Sequence, residues 1–266
     1  MNADGLQYDI IGQGEPILFL HGFTGTRETW REVSSCFSEY QCILVDLPGH
    51  GKTDSPITSM KDCCSLLAAM LDQLGISQTH VVGYSMGGRT ALSFAMYYPE
   101  YIASLVLESA SPGLKEEPAR QERKEKDEQL ARRILEQGVE EFVNNWQELP
   151  LFATQKRLPD REQRKIREER LSQNAEGLAM SLRTMGTGVQ PSWWNDLPQL
   201  PHSTLLIVGE EDEKFVAMNR HMQTSIPRVT FLICADAGHA VHVEKSRNFG
   251  KMVNGFFREN HIDITR

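Results

Sequence analysis

His80-Val-Val-Gly-Tyr-Ser-Met-Gly-Gly-Arg-Thr-Ala91 contains a Gly-x-Ser-x-Gly pentapeptide, Gly83-Tyr84-Ser85-Met86-Gly87, set between two different hydrophobic patterns. The β-branched pair Val81 and Val82 precedes it, and a helix-like run (Arg89, Ala91, Leu92, Phe94, Ala95, Met96) follows it. A strand that turns abruptly into a helix at such a serine is a nucleophile elbow. Glycine on both sides lets strand and helix approach closely, and glycine accepts backbone angles that other residues resist. Ser85 then stands at the tip, where the next amides and the positive end of the helix favour a developing oxyanion. The pentapeptide alone would also describe an incidental glycine-rich turn. The strand before it and the helix after it separate the two readings.

Outward from this stretch, short apolar strands alternate with helices. Residues 6–11, 17–20, 42–45, 105–107, 204–208 and 229–233 read as strands. Residues 30–37, 60–74 (stopped by Gly75) and 248–257 read as helices. This rhythm predicts an α/β fold with a mostly parallel central sheet flanked by helices. From residue 111 to 198 the strand signal vanishes. Only helical patterns remain, at 130–142, 161–171 and 178–185. A stretch that long is not a plain loop in a compact domain. It is expected to be an all-helical cap, residues 111–198, inserted between two late strands of a core formed by residues 1–110 and 199–266.

The 266-residue chain is 40% hydrophobic and 24% charged, which is ample for a sizeable core. A formal net charge of −8 with no basic face argues against nucleic acid as a partner. It also means that an anionic substrate needs locally placed arginines. Cys36, Cys42, Cys63, Cys64 and Cys234 show no zinc-ligand spacing and read as free thiols in a reducing compartment. No apolar stretch approaches the ~20 residues of a membrane span, and the N-terminus lacks signal-peptide features. The expectation is a cytoplasmic protein without membrane contact. Oligomeric state is not legible.

A reactive serine needs a histidine, and the histidine needs an orienting acid. Both belong in loops at the carboxyl ends of later strands. Val208 is followed by Gly209-Glu210-Glu211-Asp212-Glu213-Lys214-Phe215, and Ile233 by Cys234-Ala-Asp-Ala-Gly-His239. His239 is the favoured histidine, with His242 the competitor three residues on. Loop position leaves Glu210, Glu211, Asp212 and Glu213 open as the acid. The loop His21-Gly22-Phe23 follows the first long apolar strand, so the amides of Phe23 and Met86 are candidate oxyanion donors. Arg89 lies one helical turn beyond Ser85 on the same face and is a candidate for holding a carboxylate.

These segments resemble the α/β-hydrolase fold family from about residue 15 to 257. In detail they are similar to its menaquinone-pathway branch. The Tyr84-Ser-Met-Gly-Gly-Arg89 segment, Asn174–Arg183, Gly186–Ser192 and the Asp212-Glu-Lys-Phe215 ending carry that likeness. The resemblance favours Asp212 as the acid, giving Ser85, Asp212 and His239 in the chain order of this fold. It implies a carbon–oxygen lyase rather than a hydrolase. The substrate would be a small tricarboxylate, a cyclohexene bearing succinyl, hydroxyl, carboxylate and enolpyruvyl groups. Ser85 would remove the proton beside the succinyl ketone, the two amides would stabilise the enolate, and pyruvate would leave. No metal or cofactor is implied. Arg89 and Arg170 match the family pattern, and Arg123 is favoured over Arg120 as a further cation. Tyr84 is a candidate for bonding a substrate carboxylate, and Lys214 for a local ion pair. Trp146, Phe152 and Trp194 are candidate pocket walls, each equally readable as the core of a small helical cap. An esterase or carbon–carbon bond hydrolase shares the same serine machinery, so the triad alone does not choose between them. A catalytically silent binding member of the fold is the third reading, and the intact Ser85, Asp212 and His239 argue against it.

Overall fold

The computed structural model describes residues 2–3 and 5–260. The remaining terminal residues assigned above to the core, and Asp4, lie outside the described residues. Among the described residues, eight strands form one sheet: β1 (Asn2–Ala3), β2 (Leu6–Ile11), β3 (Glu15–Leu20), β4 (Tyr40–Asp46), β5 (Thr79–Tyr84), β6 (Ile102–Glu108), β7 (Ser203–Gly209) and β8 (Val229–Cys234). Their order is β1-β2-β4-β3-β5-β6-β7-β8, antiparallel from β1 to β4 and parallel from there on. Strands β3 to β7 are almost wholly buried. That is why their sequences read as continuous apolar runs rather than alternating ones.

Nine helices accompany the sheet among the described residues: α1 (Arg31–Ser34), α2 (Met60–Gln73), α3 (Met86–Tyr97), α4 (Glu117–Trp146), α5 (Asp160–Leu171), α6 (Ala175–Met185), α7 (Glu213–Gln223), α8 (Val241–Glu244) and α9 (Ser246–Arg258). α2 ends as its Gly75 predicts. Gly75 adopts φ 69°, its N–H bonds to Asp72, and the N–H of Ile76 reaches back to Leu71. One apolar layer lies between the sheet and α2 and α3, and another between the sheet and α1 and α9.

Two helix expectations need correction. The predicted helix at 30–37 is a 3₁₀ turn over Arg27–Trp30 followed by the single turn α1. The Thr26 hydroxyl starts it early by accepting from Glu28 N–H. The Ser34 and Ser35 hydroxyls bond back to the carbonyls of Arg31 and Glu32, competing with continued helix. The predicted helix at 130–142 is part of the longer α4, which kinks at Gly138, where φ is 86° and ψ is 168°. Between β6 and β7 the described chain is helical and irregular only. α4 and α6 share a small apolar cluster of Ala131, Ile134, Phe142, Val143, Leu178, Ala179 and Leu182, against which Phe23 of the β3 loop packs.

Candidate active site

Parallel register brings the carboxyl ends of the strands to one edge. Leu20 pairs with Gly83, Tyr84 with Glu108, Glu108 with Ile207 and Gly209 with Cys234. The loops leaving these ends converge above that edge, as expected of ligand sites in open α/β sheets.

Ser85 joins β5 directly to α3 at φ 50°, ψ −106°, a conformation that a side-chain-bearing residue rarely holds. The flanking glycines make the turn possible. A Cβ on Gly83 would lie 2.3 Å from the Gly87 carbonyl oxygen, and one on Gly87 would lie 2.0 Å from that of Leu20.

The Ser85 hydroxyl donates to His239 Nε2 at 3.0 Å, and His239 Nδ1–H donates to Asp212 Oδ2 at 2.6 Å. His239 and Asp212 are both buried. Close approach of the β7 and β8 loops sets this pairing: Gly209 runs so near Gly238 that a Cβ would meet its carbonyl at 2.0 Å. Asp212 also precedes α7, and its other oxygen faces the Phe215 N–H at 3.4 Å. The competing acids are engaged elsewhere. Glu211 pairs with Arg157 at 2.6 Å, Glu210 accepts from the Asp236 N–H, and Glu213 is exposed. His242 instead binds the buried Glu108 carboxylate at 2.9 Å.

Among the described residues, neither the Phe23 amide nor the Met86 amide has an acceptor in the surrounding loops and caps. The Phe23 loop is braced by His21. Its Nδ1–H donates to the Gly22 carbonyl at 2.8 Å, and its Nε2 accepts from Leu47 N–H at 3.0 Å. Burial holds the His21 pKa down to about 4 and that of its neighbour His50 to about 3. Both rings are therefore neutral at pH 7.

A cavity of about 430 Å³ opens on Ser85 and His239. Phe23, Tyr84, Met86, Arg89, Arg123, Trp146 and Phe152 line it, together with Leu182, Lys214 and Phe215. Arg89 is held by the Met185 carbonyl at 2.7 Å and Gln190 Oε1 at 2.9 Å. Both partners are neutral, so its charge faces no carboxylate at hydrogen-bond distance. Burial, then repulsion from Arg123, pulls its pKa down to about 10, with Asp127 opposing the fall. It remains a cation at neutral pH. The Tyr84 ring fills the space left by Gly22 and lies 5.3 Å from the His239 ring. Trp146 and Phe152 are in ring contact at 5.8 Å, and Trp146 also packs on Phe23 at 5.4 Å. These aromatics are therefore both wall and core.

Three expectations differ from the structure. Arg170 does not line this cavity. It lies behind Phe152, 4.6 Å from the ring centroid, and bonds Gln155 Oε1 at 2.9 Å. It borders two neighbouring cavities instead, one with Gly22, Thr24 and Glu169 and one with Gln155 and Arg167. Trp194 also lies outside: its indole N–H donates to the Gly113 carbonyl and its ring rests on His221 at 4.5 Å. Lys214 makes no ion pair among the described residues and instead borders the cavity. Arg120 pairs with Glu117 away from it. Gln190 and the Met185 carbonyl were not singled out from sequence. The Gly186–Ser192 segment was noted, but nothing local shows that its glutamine turns inward to Arg89.

Comparisons with known proteins agree with this fold. The family model described as alpha/beta hydrolase fold matches residues 15–246. A Bacillus subtilis (strain 168) protein provisionally named 2-succinyl-6-hydroxy-2,4-cyclohexadiene-1-carboxylate synthase is 43% identical over 262 residues, covering 96% of each chain. The Escherichia coli O1:K1 / APEC protein of that name is 32% identical, covering 86% of this chain and 88% of its own. The solved structure of MenH from S. aureus superposes with a TM-score of 0.92 at 38% identity, covering 95% of this chain and 98% of that one.

Proposed function

We propose that this chain, which belongs to the α/β-hydrolase fold family, is a menaquinone-pathway lyase. It converts 2-succinyl-5-enolpyruvyl-6-hydroxy-3-cyclohexene-1-carboxylate to 2-succinyl-6-hydroxy-2,4-cyclohexadiene-1-carboxylate and pyruvate. The similarity to proteins of that name supports the pathway. The observation that carries the chemistry is Arg89, a half-buried cation without a carboxylate partner among the described residues, lining the same cavity as Ser85. A site for neutral esters has no need of such a charge. A tricarboxylate entering a chain of net charge −8 does.

In this reading Ser85 Oγ takes the proton from the ring carbon beside the succinyl ketone as its own proton passes to His239 Nε2. Asp212 holds the imidazole in the tautomer that can accept and stabilises the imidazolium that forms. Negative charge grows on the ketone oxygen, where the Phe23 and Met86 amides meet it. The ring double bond then shifts and the ring C–O bond breaks. Its electron pair leaves with the enolpyruvyl oxygen, and protonation of that enolate gives pyruvate. Arg89 and Arg123 hold carboxylates, with Lys214 at the rim. Tyr84 bonds one of them, and Trp146 and Phe152 exclude water. Arg170 acts from behind Phe152, while Trp194 braces the insertion. The steps use only side chains and amides. We read residues 111–198 as a cap, since α4 and α6 supply one wall of the cavity.

The test is pyruvate release from the enolpyruvyl substrate, read by a coupled dehydrogenase. Release well above the spontaneous rate is expected. Release at the spontaneous rate, with turnover of simple esters instead, would transfer the same serine machinery to the esterase reading.

A further inference from the structure

The helical insertion holds a buried carboxylate that the reaction above does not use. Asp127 on α4 is 4% exposed. Its Oδ1 accepts from Arg123 Nε at 2.8 Å, one helical turn back. Its Oδ2 is buried and has no hydrogen-bond partner among the described residues. That oxygen faces the turn after α6: a Cβ on Gly186 would come within 2.6 Å of it. The preceding residue, Met185, gives its carbonyl to Arg89, and Gln190, which bonds back to the Gly186 carbonyl, supplies the second acceptor.

One carboxylate thus stands between the two guanidiniums of the Ser85 cavity. It is bonded to the first and packed on the turn that presents the second. Burying a carboxylate is costly, and helix stabilisation does not require it. The other i, i+4 pairs of α4, Glu122–Lys126 and Glu128–Arg132, are on the surface. Engaging Arg123 through Nε leaves its Nη edge for bidentate contact with an anion.

We propose that Asp127 is a positioning residue: it aims Arg123 into the Ser85 cavity and, through Gly186, seats the Met185–Gln190 turn that holds Arg89, so that both cations meet substrate carboxylates in a set geometry. This rests on the polyanionic-substrate reading given above.

The experiment is a double-mutant cycle on the full chain, read by KM for pyruvate release and by calorimetric binding of tricarballylate, a simple tricarboxylate. Asp127→Ala is expected to raise both KM and the tricarballylate Kd about tenfold (about 1.4 kcal/mol), with kcat within about threefold. Asp127→Asn keeps an acceptor for Arg123 and is expected to recover most of the loss. In an Arg123→Ala background, Asp127→Ala should add only about threefold, since the Arg123 route is gone and only the route through Gly186 to Arg89 remains. An unchanged KM and Kd in Asp127→Ala, or the same tenfold effect in both backgrounds, would overturn the proposal. So would a lowered melting temperature with KM and Kd unmoved, or no tricarballylate binding by the unmodified chain. If Asp127→Ala does not fold, Asp127→Glu decides: it keeps the charge but crowds Gly186, so a severalfold rise in Kd supports the proposal and an unchanged Kd overturns it. Absence of pyruvate release with Asp127-dependent tricarballylate binding would sink the lyase reading alone.

Discussion

The main-chain N–H of Ser85 donates to the carbonyl oxygen of Glu108 at 2.8 Å, while the Glu108 carboxylate accepts from the His242 N–H at 3.0 Å and meets its ring Nδ1 at 2.9 Å. One residue at the end of β6 therefore ties the elbow to the loop that delivers His239. Both side chains are buried, with Trp30 stacked on the His242 ring at 4.3 Å. Glu108→Ala strands two buried donors. It is expected to cost about 3 kcal/mol or more in chemical denaturation. Glu108→Gln retains an acceptor oxygen and should cost roughly half as much. Equal losses in the two variants would show that the charge matters rather than the hydrogen bonds.

Ser85→Ala removes the group proposed as base and leaves the cavity otherwise intact. Its kcat for pyruvate release should fall by about 10³-fold or more, with KM within a few-fold. Asp212→Asn disturbs the His239 tautomer and should lower kcat by about 10² to 10⁴-fold. A Ser85→Ala chain with near-normal turnover would remove Ser85 from the chemistry.

Arg89→Ala deletes a half-buried cation and leaves the Met185 carbonyl and Gln190 amide unpaired by it. Both KM and kcat should worsen, lowering kcat/KM about 10²-fold, because the anion loses a partner in a largely dry site. Arg89→Lys should recover only part of this, since an ammonium cannot span both acceptors and a carboxylate in the guanidinium's planar geometry. Unchanged kinetics in Arg89→Ala would end the argument for an anion pocket.

Stability should fall in mild acid. His21 and His50 are buried, with pKa values held down to about 4 and about 3. Unfolded histidine titrates near 6.5. Between those limits the unfolded chain binds protons that the folded chain refuses, so stability present above pH ~6.5 is lost as pH drops toward 4. Each ring contributes on the order of a few kcal/mol to that slope. Melting temperature measured from pH 7.5 to 4 should decline across this window, and His50→Gln should flatten the decline. A flat profile in the unmodified chain would contradict the buried, neutral assignment.

The local signals were highly legible. The elbow, the parallel strands, the Gly75 cap and the long helical stretch before β7 all come from patterns a few residues wide, where backbone sterics and periodic burial act. Misreadings arose where side chains bond back to nearby backbone, as at Ser34 and Ser35, or where a glycine bends a helix, as at Gly138.

The sequence by itself determined the α/β architecture, the position of Ser85, and a short list of partners in the loops after β7 and β8. Only the tertiary structure shows which of them are hydrogen-bonded in line with Ser85. Asp212 is separated from three neighbouring glutamates, and His239 from His242, by the way the Gly209 and Gly238 loops press together. Likewise Arg123 lines the Ser85 cavity whereas Arg170 and Trp194 do not, since Phe152, Gly113 and His221 hold them aside. Such choices depend on contacts between segments tens to more than a hundred residues apart, and local propensity carries no information about them.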